Sequence, residues 1–377
     1  MMRSTISASI VALLAAAPLQ AQNSAYGVLG IGFPSAPFGT AARAMGGGPS
    51  ATDPQSFVNP AALGNVPSLF VQAASMQEFR SYSIGSVNAS GLRQNRFPYA
   101  VVAGPLGPRF VYSLGFDSYA ERTYSAATDG TITIRGQPVG FSDRIGSSGG
   151  IADIRAAGAW SPNARVSVGF AWHFLTGSAK VTTSRSFTDP VYRSFSDVVD
   201  ARYSGYGASA GVMYARSTRV RLGASVRMDT KLNREVGEDL QAQVSLPVTL
   251  AGGAEFRPTP LLRVAATGAF RTWSRADADL AVAGTNAFNT IDLGLGVEMG
   301  GAAGGPPLPI RLGVRFATLP FSPTTDQPRE VDLTAGTGLR MAAGRAHLDF
   351  TVERVMRDGG GASERAWQLT AGFHVRP

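Results

Sequence analysis

The chain has 377 residues, of which 45 are glycine and none is cysteine. Only 16% of the residues are charged, against about 25% in ordinary soluble domains, and the formal net charge is +8. The absence of cysteine excludes disulfides, thiolate metal sites and a cysteine nucleophile. The positive charge is spread along the chain and does not form the stripe that a nucleic-acid partner requires.

Residues 1–21 predict a secretory signal peptide. Arg3 gives the positive start, residues 6–18 form the apolar region, and Ala21 is the small residue at a cleavage site before Gln22. The alternative is an N-terminal membrane anchor, but an apolar run of about 13 residues is shorter than the roughly 20 that span a bilayer. The exported chain is then either a soluble protein or a β-barrel of an outer membrane.

Residues 22–66 predict a separate N-terminal segment, because they do not alternate as strands do. The glycines at 46–48 permit sharp bends. Asn59-Pro60-Ala61 predicts a turn, since asparagine bonds to its own backbone and proline presets φ. The segment also carries apolar side chains that need somewhere to pack: Phe33, Phe38, Met45, Phe57 and Leu63. These side chains favour a hatch that plugs a barrel lumen over a flexible periplasmic linker.

From residue 67 to residue 377 the sequence alternates with period two, as strands with one apolar face do. Leu293 and Leu295, for example, alternate with Gly294 and Gly296. Many segments have about ten residues, as membrane-spanning strands do, whereas strands of soluble β-sandwiches usually have about 5–6. The opposite face mixes small residues with charges of both signs, as a barrel lumen would. We therefore expect an all-β, transmembrane antiparallel β-barrel, closed because an open edge in lipid would leave backbone groups unpaired.

The alternation predicts fifteen strands. They are 68–76, 79–88, 97–104, 109–124, 151–161, 164–180, 200–216, 218–234, 239–256, 260–275, 288–299, 309–318, 330–341, 344–356 and 364–376. Single-chain bacterial barrels have even numbers of strands, so we expect about fourteen, with sixteen as the next choice. The longer connections, such as 125–150 and 181–199, are predicted to be loops on the outer side of the membrane.

The N-terminal segment carries a recognisable motif. It consists of the run from Gly39 to Gly48, then Asp53, then the run from Asn59 to Leu63. In this motif the chain resembles the FadL-type outer-membrane channels and the related PorV-like barrels. The FadL-type resemblance implies passive uptake of hydrophobic small molecules, such as long-chain fatty acids, with the hatch as gate. The PorV-like resemblance implies instead a scaffold or shuttle in protein secretion. Either implies a bacterial outer membrane.

The motif and the lumen pattern give a set of expected ligand-binding or gating residues: Phe57, Asn59, Pro60, Ala61, Pro247, Arg263 and Arg271. The first four belong to the hatch. Pro247 predicts a lateral gap in the wall, because proline cannot donate to a strand ladder. Arg263 and Arg271 face the predicted lumen, where an arginine either grips a carboxylate ligand with its bidentate fork or pairs with wall carboxylates in charge ladders.

We expect no catalytic residues, metal or cofactor. The three histidines, His173, His347 and His374, lie in separate predicted strands, and no serine lies in a nucleophile-elbow pattern. Two carboxylate pairs, at 238–239 and 277–279, are more typical of a solvated rim than of a calcium site.

The expected partners are outer-membrane lipid and a hydrophobic small molecule, without nucleic acid. In the PorV-like alternative a secretion-system protein is added. An apolar pocket between hatch and wall, together with a lateral gap, would favour the channel. Large protein-binding loops without a ligand path would favour the scaffold.

Overall fold

The computed structural model describes residues 24–85, 87–237, 239–300 and 308–376. Three sequence predictions fall outside these ranges: the signal peptide at 1–21, the carboxylate at 238 and most of the connection at 300–308. None of the helices in the described ranges is long and apolar enough to cross a membrane.

Most of the described residues lie in β-strands. In chain order the strands are β1 (Phe33–Pro34), β2 (Phe70–Ile84), β3 (Val87–Arg96), β4 (Tyr99–Pro105), β5 (Phe110–Glu121), β6 (Tyr124–Ile134), β7 (Gln137–Asn163), β8 (Val166–Phe187), β9 (Phe195–Ala215), β10 (Val220–Asp229), β11 (Lys231–Val236), β12 (Asp239–Ser245), β13 (Val248–Thr259), β14 (Leu262–Arg271), β15 (Asn286–Ala287), β16 (Thr290–Met299), β17 (Ile310–Thr318), β18 (Phe321–Ser322), β19 (Arg329–Met341), β20 (Ala346–Gly359) and β21 (Ala362–Val375).

The helical elements are short. The α-helices are α1 (Thr40–Arg43) and α2 (Asp277–Leu280), and 3-10 turns cover Ala25–Gly27, Pro60–Asn65, Trp273–Ala276, Ala281–Ala283 and Ala342–Gly344.

The strands form one closed antiparallel barrel, whose strands we call the wall. Consecutive strands pair, and β21 pairs with β2 from Val71 opposite Val375 to Ile84 opposite Ala362, which closes the wall. Four wall strands consist of two successive pieces: β3 with β4, β5 with β6, β10 with β11, and β12 with β13. With β1, β15 and β18 left out, the described residues make fourteen wall strands. The predicted fourteen-stranded barrel is therefore confirmed.

The outer face of the wall is apolar, as the alternation predicts. Leu293 and Leu295 are 50% and 51% exposed on this face. Gly294 and Gly296 point inward, where a side chain at either position would collide with residues 45–48. Large apolar side chains are exposed all around the wall, among them Leu222, Phe256, Ile310, Leu333, Phe350 and Phe373. We call this surface the apolar belt.

Several predicted boundaries are wrong. The predicted strands 68–76 and 79–88 form the single strand β2. The predicted loops at 125–150 and 181–199 are mostly strand, because β6, β7, β8 and β9 extend as hairpins. Polar residues occupy both faces of these extensions, so the alternation that marks the belt is absent there. The barrel consequently has a long end, with these hairpins, and a short end, with tight turns.

The N-terminal residues 24–66, which we call the interior segment, lie inside the barrel. Thr267 donates to the carbonyl oxygen of Gly48 over 2.6 Å, and Thr334 donates to that of Ala44 over 3.0 Å. The segment starts at the long end, where β1 pairs with Ala120 and Glu121, the last two residues of β5. It leaves the lumen at the short end, just before β2.

A separate apolar core lies at the long end. Trp273 and Leu280, from the connection between β14 and β16, pack there with Ile31, Leu246 and Phe321. This connection covers the free edge of β12.

Candidate functional site

The Asn59-Pro60-Ala61 turn fastens the interior segment to the wall. The Asn59 amide donates to the carbonyl oxygens of Ala51, over 2.9 Å, and Val212, over 3.2 Å. Its Oδ1 accepts from the backbone N–H of Ala61 over 3.0 Å and caps the 3-10 turn that follows. The bonds to Ala51 and from Ala61 are buried, and the bond to Val212 reaches the wall, so the turn has a defined position against β9.

Wall glycines make this close approach possible. A Cβ on Gly211 would lie 2.1 Å from Asn59 Oδ1, and a Cβ on Gly313 would lie 2.1 Å from the backbone carbon of Met45. Neither distance is compatible with a side chain, so the inner face of the wall is shaped to receive backbone. At these positions the wall needs glycine because the interior segment lies too close for any side chain.

An interior cavity of about 90 Å³ separates the interior segment from the wall. Phe38 and Phe57 of the segment line it, together with Pro247, Arg271 and other wall residues. The structure therefore brings together three of the residues that the sequence predicts for ligand binding or gating, namely Phe57, Pro247 and Arg271. Asn59, Pro60 and Ala61 lie apart from this cavity, at the anchoring turn.

The ladder is interrupted at Pro247, between β12 and β13, as a proline at this position predicts. The alternation through 244–250 predicts one continuous apolar face, but the face changes sides at this break. Val244 and Leu246 are buried, whereas Leu250 faces outward. The long-end core covers the edge above the break, so Pro247 lines the interior cavity without opening the wall.

The wall opens instead beside Phe97 and Pro98, between β3 and β4. Below this break β4 pairs with β5. Above it, within the described residues, β3 pairs only with β2, and β1 occupies the edge of β5. A cavity of about 350 Å³ passes through this gap, which we call the wall opening. On the outer side it is lined by Phe97 and Phe116, which are 73% and 40% exposed.

Ion pairs line the lumen behind the wall opening. Arg96 pairs with Glu78 over 3.0 Å and with Glu121 over 2.7 Å. Further inside, Arg315 pairs with Asp292 and with Asp332, both over 2.8 Å. Arg315 also pairs with Glu330, which bonds Arg357 in turn. The lumen is therefore polar but internally neutralised.

The two arginines that the sequence singles out also have carboxylate partners. Arg271 Nη1 lies 3.4 Å from Asp292, and Arg263 Nε lies 3.5 Å from Glu298. These distances are long for charge-assisted hydrogen bonds, which are usually about 2.7–2.9 Å. Arg263 faces a different cavity, of about 380 Å³, at the short end of the barrel.

Asp53 is a half-buried carboxylate of the interior segment. It accepts hydrogen bonds from the Ser56 hydroxyl, over 2.7 Å, and from the Gln55 backbone, over 3.2 Å. Burial raises the pKa of Asp53 above its ordinary value, although these bonds and nearby Arg263 oppose the shift. The segment thus carries one acidic group whose charged form is disfavoured.

Asp277 and Asp279 cap backbone groups. Asp277 accepts from the N–H of Ala287 and Asp279 from that of Ser245, each over 2.8 Å. The bond from Ser245 holds the pKa of Asp279 below its ordinary value. Within the described residues, no three histidine or carboxylate side chains are grouped closely enough to hold a metal ion.

A histidine contact was not foreseen from the sequence. His173 Nδ1 lies 2.8 Å from Asp153, and its Nε2 lies 2.8 Å from the Ser209 hydroxyl. Asp153 and His173 have no exposed surface, and Arg227 donates to the same carboxylate over 2.6 Å. The cluster is sealed in the wall and is a structural network. Only the register between β7, β8 and β9 could have predicted it.

The comparison with protein families decides the assignment. The BamG family model matches residues 1–253. The chain belongs to the BamG family. No curated protein matches this BamG-family chain.

Solved structures share the fold of this BamG-family chain at low sequence identity. The Ralstonia pickettii toluene transporter TbuX is 15% identical, with a TM-score of 0.62 over 90% of this chain and 98% of its own. A Pseudomonas aeruginosa FadL homologue is 13% identical, with a TM-score of 0.60 over 91% and 99%. The P. putida toluene transporter TodX is 13% identical, with a TM-score of 0.59 over 90% and 98%.

These similarities show that the chain has the fold of the FadL-type channels. The fold, the BamG family and the apolar belt place the chain in a bacterial outer membrane. Long loops of such barrels face outward and short turns face the periplasm. The long end of this BamG-family barrel is therefore extracellular, and the short end is periplasmic.

Proposed function

We propose that the barrel is a passive channel through which hydrophobic small molecules, including long-chain fatty acids, enter the cell. The wall opening beside Phe97 and Pro98 carries this proposal. It connects the apolar belt to the lumen, so a hydrophobic molecule dissolved in the membrane can reach it without crossing water. Such a path suits a ligand that partitions into lipid, because its apolar surface stays away from water until it has entered the barrel.

The interior segment supplies the gate. The wall opening and the interior cavity share Pro34, Ser35 and Ser118 in their linings. Between them, Ser35 bonds to Ser118 over 3.1 Å and to the Tyr119 carbonyl over 3.0 Å. Together with the two-residue pairing of β1 with β5, these contacts separate the two spaces, so a small displacement of β1 would join them.

The interior cavity is the proposed binding place. Phe38 and Phe57 offer apolar contact, and Arg271, with its long bond to Asp292, offers donors to a ligand carboxylate. We propose that Arg263 acts later on the path, at the periplasmic cavity. The Asn59-Pro60-Ala61 turn is the proposed anchor about which the rest of the segment moves.

Crosslinking the wall opening tests the proposal. The chain has no cysteine, so Asn95→Cys with Ser118→Cys can be bridged specifically by a bifunctional maleimide. Uptake of a monoaromatic hydrocarbon and of a long-chain fatty acid is then measured in cells that carry the bridged protein. We expect uptake to fall at least about tenfold, which corresponds to roughly 1.4 kcal/mol on the barrier.

The matched control bridges Leu293→Cys and Phe316→Cys, which face each other in the intact ladder of β16 and β17. This bridge should leave uptake unchanged. Unaltered uptake after bridging of the wall opening would contradict the channel. A protein partner that copurifies in stoichiometric amount, without any uptake, would favour the secretion scaffold.

A further inference from the structure

Four side chains form one row on the outer face of the wall. Arg93 of β3 lies opposite Phe79 of β2, Phe79 opposite Trp367 of β21, and Trp367 opposite Arg354 of β20. Directly opposed residues of antiparallel strands share a face. The Arg93 guanidinium is 5.6 Å from the centre of the Phe79 ring, and that of Arg354 is 5.1 Å from Trp367. We call these four residues the outer row.

The outer row lies at the extracellular edge of the apolar belt. Trp367 is 49% exposed, and the outward residues on its periplasmic side, such as Leu369 and Val352, are apolar and exposed. On its extracellular side the outward residues include Met356 and the charged pair Arg365 and Asp358. Aromatic side chains at such a boundary lie at the level of the lipid headgroups.

The two arginines of the outer row have no carboxylate partner. Within the described residues, neither Arg93 nor Arg354 takes part in an ion pair or a hydrogen bond, and each lies over an aromatic ring. Arg365, one position further out, does have a partner and pairs with Asp358 over 3.0 Å. Arginine facing lipid is costly near the midplane and tolerated near the interface. Two unpaired arginines at this level therefore call for anions from outside the chain.

A groove beside Arg93 widens this surface. It holds about 250 Å³ between β2 and β3 and is lined by Gln77, Phe79, Arg93 and Asn95, among others. Gln77 and Asn95 lie opposite each other and are exposed on the lipid-facing side. Amides there offer hydrogen bonds to a headgroup, whereas the rest of the belt offers only apolar contact.

We propose that the outer row binds the phosphate groups of an outer-leaflet lipid. Three strand spacings of about 4.8 Å separate Arg93 from Arg354, so their backbones are roughly 14 Å apart, and each guanidinium group leans inward over the neighbouring ring. Each forms charge-assisted bonds to a phosphate, with the fork geometry that arginine offers. Phe79 and Trp367, which lie between the two arginines, contact the acyl chains. The lipid phosphate comes from a bisphosphorylated lipid A or from a glycerophospholipid.

Native mass spectrometry tests this site. The wild-type protein, the double variant Arg93→Gln with Arg354→Gln, and the control Arg365→Gln are purified in non-ionic detergent. Each is titrated with bisphosphorylated lipid A and, separately, with phosphatidylglycerol. We expect the double variant to bind lipid at least about tenfold more weakly than wild type, while Arg365→Gln binds as wild type does because Asp358 already neutralises that arginine.

The outcomes are distinct. A loss confined to lipid A identifies lipid A as the source of the phosphate, and a loss with both lipids identifies a general phosphate site. Equal binding by the double variant and wild type would overturn the proposal, as would equal losses in all variants. Heat-modifiable migration on electrophoresis verifies that each variant has folded as a barrel.

Discussion

Asn59 in the interior segment donates a hydrogen bond to the backbone carbonyl of Val212 in wall strand β9. A side chain of the interior segment thus bonds to an atom of the wall backbone, at a place where Gly211 leaves room for it. The position of the segment therefore depends on the Asn59 side chain and on the backbone of β9 that accepts its hydrogen bond.

Replacing this asparagine tests the anchor. Asn59→Ala removes the cap of the 3-10 turn, worth about 1 kcal/mol, and leaves buried carbonyl groups unpaired at about 1–3 kcal/mol. We expect the free energy of unfolding to fall by about 2–4 kcal/mol, measured by urea titration in detergent. Asn233→Ala, in the exposed hairpin of β11 and β12, should change it by less than about 0.5 kcal/mol.

A single methyl group on the wall tests the same contact from the other side. Gly211→Ala places a Cβ 2.1 Å from Asn59 Oδ1, so the turn must move while the barrel remains closed. We expect faster hydrogen exchange at the Ala61 amide and higher ionic conductance of the barrel in planar bilayers. Gly252→Ala is the control, because its Cβ would approach no atom closer than 3.8 Å. Equal exchange rates in the two variants would argue against the anchor.

The variant Arg315→Leu tests how much the ion pairs of the lumen contribute to the free energy of unfolding. This replacement leaves Asp292, Glu330 and Asp332 buried without their shared cation. Breaking a buried pair from one side costs about 3–5 kcal/mol, so we expect a loss of that size in urea unfolding. Arg365→Leu, which breaks an exposed pair with Asp358, should cost less than about 1 kcal/mol.

The raised pKa of Asp53 predicts how the stability of the interior segment depends on pH. Because burial raises the folded-state pKa above the unfolded value near 3.8, the folded protein holds this proton more tightly than the unfolded chain does. The resulting stability is present at low pH and is lost as the pH rises through the folded pKa. We expect the hydrogen-exchange protection factors of residues 39–57 to fall over that interval. In Asp53→Asn this fall should be absent; the same pH profile of protection in wild type and variant would contradict the prediction.

The barrel architecture could be predicted from the sequence because every strand that crosses the lipid must alternate apolar outward residues with small or polar inward residues. Leu293 and Leu295 face lipid while Gly294 and Gly296 face inward, and this difference is present in the sequence itself. The extensions of β6 and β7 have polar residues on both faces. The alternation of apolar and polar residues is therefore absent there, and the sequence predicts loops instead of strands.

The candidate site was less predictable, because it depends on neighbours in space. Proline marks two of the four breaks in the described wall strands, at Pro98 and at Pro247. Only the fold distinguishes the break that is open from the one covered by Trp273 and Leu280. In the same way, the contact between His173 and Ser209 depends on strand register, which the sequence of one strand does not specify.

The upper end of the interior segment lies against the last hairpin of the wall. The Tyr26 hydroxyl is 2.9 Å from the Gly359 carbonyl oxygen and 2.7 Å from that of Ala362, which are 333 and 336 positions further along the chain. Contacts between such distant positions form slowly. The first residues of the described chain therefore lack a complete binding surface until the last strand has paired. An assembly intermediate without β21 would expose the interior segment to periplasmic proteases, and the completed barrel would protect it.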